Sequence, residues 1–370
     1  MKKILFINHI ANYTGAPLVL LSLLQEIKRK HPDEKLYVLN LLHGPMETEL
    51  NNVAEVYTPY NDDCRGIRKF LPFWLRRKRI EREFEKWLLE PKFNLIYANT
   101  IASIEKAVEI KHILNIPIIA HVHEMEYSFH LYGMKFDLIS QCDKYIAVST
   151  SVLATLERYG ADKSKITVIP PFSNNLDKVN EVNASFVLSG INDGDFVIGF
   201  SGYGSWRKGT DLFPLIVKHF KDKYPNIKCK FVWVGHTDYA AIEHDAKMLN
   251  VWEDIILTGA VPNPMDYYNK FDIFVLLSRE DPFPLVCMEC AALSKPIILF
   301  EGCTGIVDLI KNDISGIHVS YLDIDAMTDA IYRLYGNIHL RLRLGENNRQ
   351  ILNSRFSKQA SLECIETMLL

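Results

Sequence analysis

"KKILFINHIANYTGAPLVLLSLLQEIKRK" (residues 2–30) joins three local patterns in one short run. "KKILFIN" (2–8) is rich in β-forming residues, and "APLVLLSLLQEIKRK" repeats apolar residues at the spacing of a helix. Gly15 lies in the turn between them, and Pro17 suits the first turn of the helix. If this strand–turn–helix order repeats, it predicts a parallel sheet covered by helices on both faces.

The same order recurs along almost the whole chain. The predicted strands are 2–8, 35–42, 94–98, 116–122, 144–149 and 165–170, then 196–202, 228–235, 254–259, 272–278, 295–300 and 316–320. Helical patterns separate many of these strands, and the chain from about Asp323 onward has only helical patterns.

The alternation is interrupted once, at "PPFSNNLDKVNEVNAS" (170–185), which is rich in Pro, Asn, Ser and Asp and is typical of a linker. A chain of 370 residues also exceeds one ordinary hydrophobic core. We therefore predict an α/β protein with two doubly wound domains, 1–173 and 174–350, facing a central cleft. A helical tail, 351–370, is expected to pack toward the first domain. The cleft is the expected active site, because ligands of such sheets lie at the carboxyl ends of the strands.

Composition excludes several classes of protein. Hydrophobic residues make up 48% and charged residues 24%, which is typical of a globular protein. The net charge of −3 predicts no strongly charged partner, and no basic face indicates nucleic-acid binding. The 7 cysteines are scattered, which predicts reduced thiols and a cytoplasmic location. No apolar run is long enough to span a membrane.

Two glycine turns are candidates for phosphate binding, because a helix N-terminus presents free N–H groups and a partial positive charge. One contains Gly15, and the other is "SGYGSWRKGTDLF" (201–213), where Arg207 and Lys208 stand in the turn and Asp211 is expected to cap the next helix. The alternative is that both turns are only tight connections. Neither turn fits the Gly-x-Gly-x-x-Gly or the Walker pattern, which disfavours an NAD enzyme or a P-loop ATPase.

"SREDPFPLVCMECAALSKPIILF" (278–300) contains a pair of acids across a turn. Pro282 and Pro284 delay a helix until about Leu285, so Glu289 is expected about one turn into that helix. A carboxylate there can accept hydrogen bonds from vicinal hydroxyls such as those of a ribose. Asp281, on the loop, would face what lies beyond the phosphates. The alternative is a capping acid and a solvated acid.

This segment resembles the signature of retaining glycosyltransferases of the GT-B fold, family 4, in which seven residues separate two acids and Phe-Gly or Phe-Pro lies between them. Asp281 and Glu289 have that spacing. The usual first acid is Glu, and this chain resembles a subgroup with Asp there, with Glu280 one position earlier.

Four other segments resemble the same family in order and spacing. "TGAPLVLL" resembles its glycine loop, and "HVHEMEYS" (121–128) resembles its histidine segment. "WRKGTDLF" resembles its basic phosphate-binding turn, and "GAVPNPMDYY" (259–268) its nucleotide-side loop. Many members have Gly-Arg shortly before the Lys, where this chain has Gly202-Tyr203. Either Arg207 substitutes for that arginine, or Lys208 and the helix N-terminus bind the phosphates alone.

The resemblance implies that a UDP- or GDP-sugar binds the second domain and that its sugar moves, with retention, to the hydroxyl of a glycan or lipid-linked acceptor. It assigns to catalysis Lys208, Arg207, Asp281 and His123, and to donor binding Gly15, Val261, Phe283, Pro284, Leu285 and Glu289. The basic residues and helix N-termini would stabilise the leaving diphosphate. Asp281 and His123 would position the sugar. No metal and no cofactor is expected.

Two signals remain outside this assignment. Cys287 and Cys290 have the spacing of a redox or zinc motif, but they lie inside a predicted helix without a second pair, so we interpret them as packing residues. "RGIRKFLPFWLRRKRIEREFEKWL" (65–88) alternates basic and apolar residues. Residues 65–79 could bind an anionic membrane as an interfacial segment, or they could pack on the first domain.

The resulting hypothesis is a retaining, metal-independent glycosyltransferase of surface polysaccharide, lipopolysaccharide or glycolipid assembly, located in the cytoplasm or at the inner face of the plasma membrane. Two alternatives remain. A sugar-nucleotide 2-epimerase shares the architecture, although "DPFPLVCME" and "WRKG" argue against it. A catalytically inactive nucleotide-sugar-binding protein would retain the same binding residues.

Overall fold

A computed structural model describes residues 3–59, 73–192 and 194–369, with the backbone alone for residues 73–80. The chain divides into two compact units, one formed by Met1–Pro171 with Gln359–Leu370 and the other by Phe172–Lys358. The boundary lies inside the segment predicted as a linker. The segment predicted to be interfacial, 65–79, lies outside the residues whose side chains are described.

Seven parallel strands form the sheet of the first unit within the described part of the chain. They are β1 (Ile4–Asn8), β2 (Tyr37–Asn40), β3 (Glu55–Tyr57), β4 (Leu95–Asn99), β5 (Ile118–Val122), β6 (Lys144–Ala147) and β7 (Ile166–Val168). Their order is β3-β2-β1-β4-β5-β6-β7, and each pair is parallel. Strand β1 lies inside the sheet and is completely buried, as its continuous apolar sequence predicts.

Helices connect these strands. They are α1 (Gly15–Lys30), α2 (Glu47–Asn51), α3 (Phe73–Leu89), α4 (Ile104–Leu114), α5 (Glu126–Leu131), α6 (Phe136–Ile139) and α7 (Thr150–Arg158). Helix α1 starts at Gly15, which confirms the strand–turn–helix pattern of residues 2–30, and residues 19–24 are all buried.

The second unit repeats the plan with six parallel strands among the residues described. They are β8 (Phe196–Ser201), β9 (Cys229–Val234), β10 (Ile255–Leu257), β11 (Ile273–Leu276), β12 (Ile297–Phe300) and β13 (Gly316–Val319). The strand order is β10-β9-β8-β11-β12-β13. The helices are α8 (Phe213–Lys223), α9 (Tyr239–Met248), α10 (Pro264–Asn269), α11 (Leu285–Ala292), α12 (Ile324–Tyr335) and α13 (Ile338–Arg355).

A last helix, α14 (Lys358–Leu369), returns the chain to the first unit. Glu366 on this helix forms an ion pair with Lys30 at the end of α1, with a distance of 2.7 Å between Nζ and Oε2. Leu362 and Ile365 are buried on its apolar face. The C-terminal segment therefore belongs to the core of the first unit.

The predicted α/β class with two Rossmann-like sheets is confirmed. Every predicted strand overlaps a strand of the structure, and α11 begins at Leu285 as predicted. The sequence pattern does not predict β3, which has three residues, none of them buried. Because such a strand lacks the apolar run of its buried neighbours, it gives no clear signal.

Close packing of α13 against the turn after α11 depends on Gly345. A Cβ at this position would lie 1.9 Å from the carbonyl oxygen of Ser294. The side chain of Asn348, one turn further, donates to the carbonyl of Lys295 at 3.0 Å. A larger residue at 345 must therefore push α13 away from this turn.

We expect Gly345→Ala to lower the free energy of unfolding by roughly 1–3 kcal/mol, because overpacking outweighs the usual gain from replacing glycine in a helix. Gly336→Ala is the matched control, since the nearest atom to its added Cβ would be the Tyr332 carbonyl oxygen at 3.6 Å. Urea unfolding followed by circular dichroism compares the two variants. Equal stability of the two would contradict the packing described here.

Candidate active site

Two loops of the second unit meet because β8 and β11 are adjacent parallel strands whose carboxyl ends lie at the same edge of the sheet. The loop after β8, residues 202–209, is here called the basic turn. The loop after β11, residues 277–284, is called the acid loop. Ligands of open α/β sheets bind at this edge.

The basic turn is a tight 3₁₀ turn over Trp206–Lys208. The Ser205 side chain caps it by accepting a hydrogen bond from the backbone N–H of Lys208 at 3.3 Å. Gly209 ends it with φ of +71°, and a Cβ there would lie 2.2 Å from the carbonyl oxygen of Leu277. Only glycine fits this position, so the acid loop touches the backbone of the basic turn directly.

The ammonium of Lys208 forms an ion pair with the carboxylate of Asp281, at 2.5 Å between Nζ and Oδ2. Asp281 is only 4% exposed. Its Oδ2 also accepts a hydrogen bond from the Ser278 hydroxyl at 3.1 Å. The Arg207 guanidinium lies 3.9 Å from Oδ1 and donates to the carbonyl of Glu280 at 3.0 Å. A buried carboxylate needs such partners. Arg207 and Lys208, the two basic residues predicted from the sequence, therefore both lie beside Asp281.

The backbone of Asp281 is fixed by the loop that follows β12. Its N–H donates to the carbonyl of Cys303 at 2.8 Å, and its own carbonyl accepts from the N–H of Gly305 at 3.0 Å. The position of this carboxylate is therefore determined by the loops after three neighbouring strands, β8, β11 and β12.

Glu289, the second predicted acid, lies in the second turn of α11 and is 5% exposed. Its Oε1 accepts hydrogen bonds from the Ser173 hydroxyl at 2.5 Å and the Asn175 side-chain amide at 2.8 Å. Burial raises the pKa of Glu289, against the opposing effect of these two hydrogen bonds. Burial also raises the pKa of Tyr268 well above its usual value, and the negative charge of Glu289 adds to that shift.

Ser173 and Asn175 were not singled out by the sequence analysis. Both lie in the Asn- and Ser-rich stretch interpreted as a linker. Ser173 is buried, and its hydroxyl also accepts a hydrogen bond from the backbone N–H of Asn175 at 3.2 Å. The only signal in the sequence is the polar composition, which is typical of a linker.

The other predicted donor-binding residues of this unit lie in the acid loop, at the start of α11 and in the loop after β10. Phe283 is buried against Phe356, and Pro284 forms the N-cap of α11. Leu285, the first residue of that helix, is half-buried. Val261 is also half-buried and follows Gly259, whose carbonyl accepts from the N–H of Gly235 at 3.0 Å.

Cys287 packs among the charged residues of this region. Burial raises the pKa of its thiol well above the usual value; Asp281 and Glu289 raise it further, and Lys208 lowers it. Cys290 is likewise buried with a strongly raised pKa. Protonated, buried thiols agree with the interpretation of "CMEC" as packing residues.

The prediction that Asp211 caps the following helix is wrong. Helix α8 begins at Phe213 without a side-chain cap, and Asp211 instead forms a bidentate ion pair with Arg279, with two distances of 2.7 Å. The forked guanidinium matches a carboxylate better than single backbone N–H groups do.

In the first unit, His123 follows β5 and lies against His121, with the ring centroids 4.0 Å apart. Burial lowers the pKa of His123 well below its usual value, with further effects of His121 and His9. Its Nε2 is buried and has no hydrogen-bond partner among the described residues. A neutral imidazole of this kind can serve a ligand hydroxyl as either donor or acceptor.

Gly15, the predicted donor-binding residue of the first unit, is the first residue of α1, and a Cβ there would meet no atom within 4 Å. Across the described ranges, no group of three or more His, Cys, Asp and Glu side chains could hold a metal ion. None of the helices in that same part of the chain has the length and apolar character needed to cross a membrane.

Two units, each built on a parallel, doubly wound sheet, have the architecture of the GT-B class. Family models match both units: Glycosyltransferase Family 4 matches residues 13–174, and Glycosyl transferases group 1 matches residues 183–351. The chain belongs to the group 1 glycosyltransferases.

Individual relatives agree with this family. The chain is 29% identical over 178 residues to the capsular polysaccharide biosynthesis glycosyltransferase CapM of Staphylococcus aureus, covering 48% of this chain and 46% of that one. It is 25% identical over 228 residues to the alpha-galactosylglucosyldiacylglycerol synthase of Streptococcus pneumoniae, covering 58% of each chain. The matched part thus spans about half the length of these curated relatives.

The fold is similar to that of Anabaena Alr3699/HepE, solved in complex with UDP. The TM-score is 0.78 over 99% of both chains, with 18% sequence identity. At this identity the likeness establishes the fold.

The buried carboxylate of Glu289 predicts a pH-dependent stability. Because the pKa of Glu289 is raised in the folded state, the folded protein binds this proton more tightly than the unfolded chain does. The free energy of unfolding therefore falls as pH rises above the pKa of glutamate in the unfolded chain, about 4.3. Glu289→Gln removes the charge but keeps an oxygen acceptor for Ser173 and Asn175. We expect its stability relative to the wild type to increase from pH 4 to pH 8 in urea titrations.

Glu346→Gln is the control for this experiment, because hydrogen bonds from Arg349 and Gln350 lower the pKa of that exposed carboxyl. Its stability relative to the wild type should change with pH in the opposite direction. A Glu289→Gln variant that loses stability relative to the wild type as pH rises would contradict the assignment.

Proposed function

We propose that this chain is a retaining glycosyltransferase that transfers a sugar from a UDP- or GDP-sugar to an acceptor hydroxyl. The observation that carries the proposal is the placement of Lys208 and Arg207 on a tight turn at the carboxyl edge of the second sheet, around the buried carboxylate of Asp281. Two cations held at the ligand-binding edge of such a sheet fit a diphosphate.

Lys208 is suited to the leaving group. An ammonium has three donors, and Asp281 uses one of them, which leaves two for phosphate oxygens. As the bond between sugar and diphosphate breaks, negative charge grows on the diphosphate, and the fixed cations stabilise it without reorganisation. A diphosphate stabilised in this way needs no dedicated general acid.

Glu289 is suited to the ribose. Both of its protein donors reach Oε1, which leaves Oε2 as an acceptor for a ribose hydroxyl. A hydrogen bond to a carboxylate in a poorly solvated place is stronger than one in water, so the unfavourable burial of Glu289 is offset when the nucleotide binds. The other proposed donor contacts are Val261 in the loop after β10, Phe283 and Pro284 in the acid loop, and Leu285 at the start of α11.

Asp281 is proposed to contact the transferred sugar, whose positive charge increases as the diphosphate leaves. No side chain is assigned as a covalent nucleophile, so retention would follow from attack on the same face that the diphosphate leaves. In the first unit, His123 is proposed to contact the sugar, and the N-terminus of α1 at Gly15 to support the diphosphate. No metal ion is assigned a role.

The acceptor class is inferred from the relatives. One of them is named for capsular polysaccharide biosynthesis and another for synthesis of a glycosyl diacylglycerol. Both names support an acceptor that is a growing glycan or a lipid-linked sugar, in surface polysaccharide or glycolipid assembly.

Calorimetric titration with UDP and with GDP tests the diphosphate site. Lys208→Ala should weaken the better-bound diphosphate about ten- to a hundredfold, the worth of a charge-assisted hydrogen bond of roughly 1.5–3 kcal/mol. Uridine or guanosine affinity should stay unchanged. Asp281→Asn should strengthen diphosphate binding by about two- to tenfold, because it frees Lys208 from a competing charge, and should still reduce turnover.

Lys218→Ala is the matched control, because Lys218 lies on α8 and pairs with the exposed carboxylate of Asp222. It should bind both diphosphates like the wild type. A Lys208→Ala variant with wild-type affinity, or the loss of all diphosphate binding in Asp281→Asn, would refute the proposed roles.

A further inference from the structure

We infer that Arg279 is a positioning residue for the donor diphosphate: it holds the basic turn in the geometry that presents Arg207 and Lys208 to the leaving group. The inference rests on the proposed function and adds a residue to it that does not contact the substrate. Arg279 lies in the acid loop, two residues before Asp281.

Arg279 binds the basic turn through both its backbone and its side chain. Its backbone N–H donates to the carbonyl of Arg207 at 2.8 Å, and its Nη1 donates to the carbonyl of Trp206 at 2.7 Å. The guanidinium carbon lies 4.9 Å from the centroid of the Trp206 ring. The two terminal nitrogens also donate to the two carboxylate oxygens of Asp211, just beyond the turn, at 2.7 Å each.

These contacts require arginine in particular. A planar guanidinium can stack on an indole, form a bidentate ion pair and donate to a carbonyl at the same time, whereas an ammonium cannot combine the three. The side chain of Arg279 is only 9% exposed, whereas that of its partner Asp211 is 52% exposed. The ion pair lowers the pKa of Asp211 and raises that of Arg279, which keeps both groups charged.

The need for such a residue follows from the chemistry of Lys208. The Lys208–Asp281 ion pair joins the basic turn to the acid loop. A bound diphosphate takes the remaining donors of the same ammonium and shares its charge with Asp281, which weakens this connection when the turn must be most rigid. The contacts of Arg279 use Asp211 and backbone carbonyls, so they persist while the phosphates are bound.

Four variants test the inference: Arg279→Ala, Arg279→Lys, Asp211→Asn and the control Arg333→Ala. Arg333 pairs with Asp313 in the same unit, and both side chains are exposed. Because a displacement of about 1 Å can cost a hundredfold in rate, we expect kcat for the nucleotide sugar to fall about ten- to a hundredfold in Arg279→Ala. Affinity for UDP or GDP should fall too, while affinity for the free nucleoside should not.

Arg279→Lys should resemble Arg279→Ala, since lysine cannot reproduce the forked and stacked contacts. Asp211→Asn should show a smaller loss of the same kind, because the Trp206 contacts remain. Added guanidinium ion at millimolar concentration should restore part of the kcat of Arg279→Ala and leave Arg333→Ala unchanged. Circular dichroism and thermal melting confirm that each variant is folded.

Three results would overturn the inference. Arg279→Ala and Arg333→Ala could bind and turn over alike; Arg279→Lys could retain wild-type kcat; or Arg279→Ala could lose nucleoside and diphosphate affinity equally, as a general loss of structure would predict. If Arg279→Ala does not fold, Arg279→Lys and Asp211→Asn decide the question by the same measurements. A wild type that binds neither UDP nor GDP would instead refute the proposed function, and this inference with it.

Discussion

The ion pair between Lys208 and Asp281, with 2.5 Å between its charged atoms, is the interaction on which the candidate site depends. Asp281 is almost fully buried, and an unpaired carboxylate in such a place would be strongly destabilising. Pairing requires the loop after β8 to approach the loop after β11, and glycine at position 209 permits that approach. The backbone of Asp281 is also hydrogen-bonded to the loop after β12.

The site combines features that lower stability with features that favour an anionic ligand. Glu289 is buried with a raised pKa, which is unfavourable for the empty protein at neutral pH. Lys208 is paired with Asp281 and keeps two donors for a diphosphate. Binding of a nucleotide would therefore offset the unfavourable burial of Glu289 and bring a second anion to the ammonium of Lys208. Functional sites commonly reduce the stability of a protein in this way.

The sequence predicts most of the fold because strand and helix signals are local. It also predicts the start of α11, since Pro284 fixes the backbone just before Leu285. It could not predict the partners of the site residues, which are set by contacts between distant parts of the chain. Ser173 reaches Glu289 across 116 residues, and Arg279 reaches Asp211 across 68. Through these contacts Ser173, which lies in a segment typical of a linker, and Asp211, which was expected to cap a helix, become parts of the site.

A crystal structure of this protein with UDP or GDP bound is the most direct test of the central claim that the basic turn and α11 form a nucleotide site. The account predicts phosphate oxygens within about 3 Å of Lys208 Nζ and ribose hydroxyls at a similar distance from the carboxylate of Glu289. It further predicts that Arg279 keeps its contacts with Asp211. A nucleotide bound with its base at Lys208, or bound only to the first unit, would contradict the account.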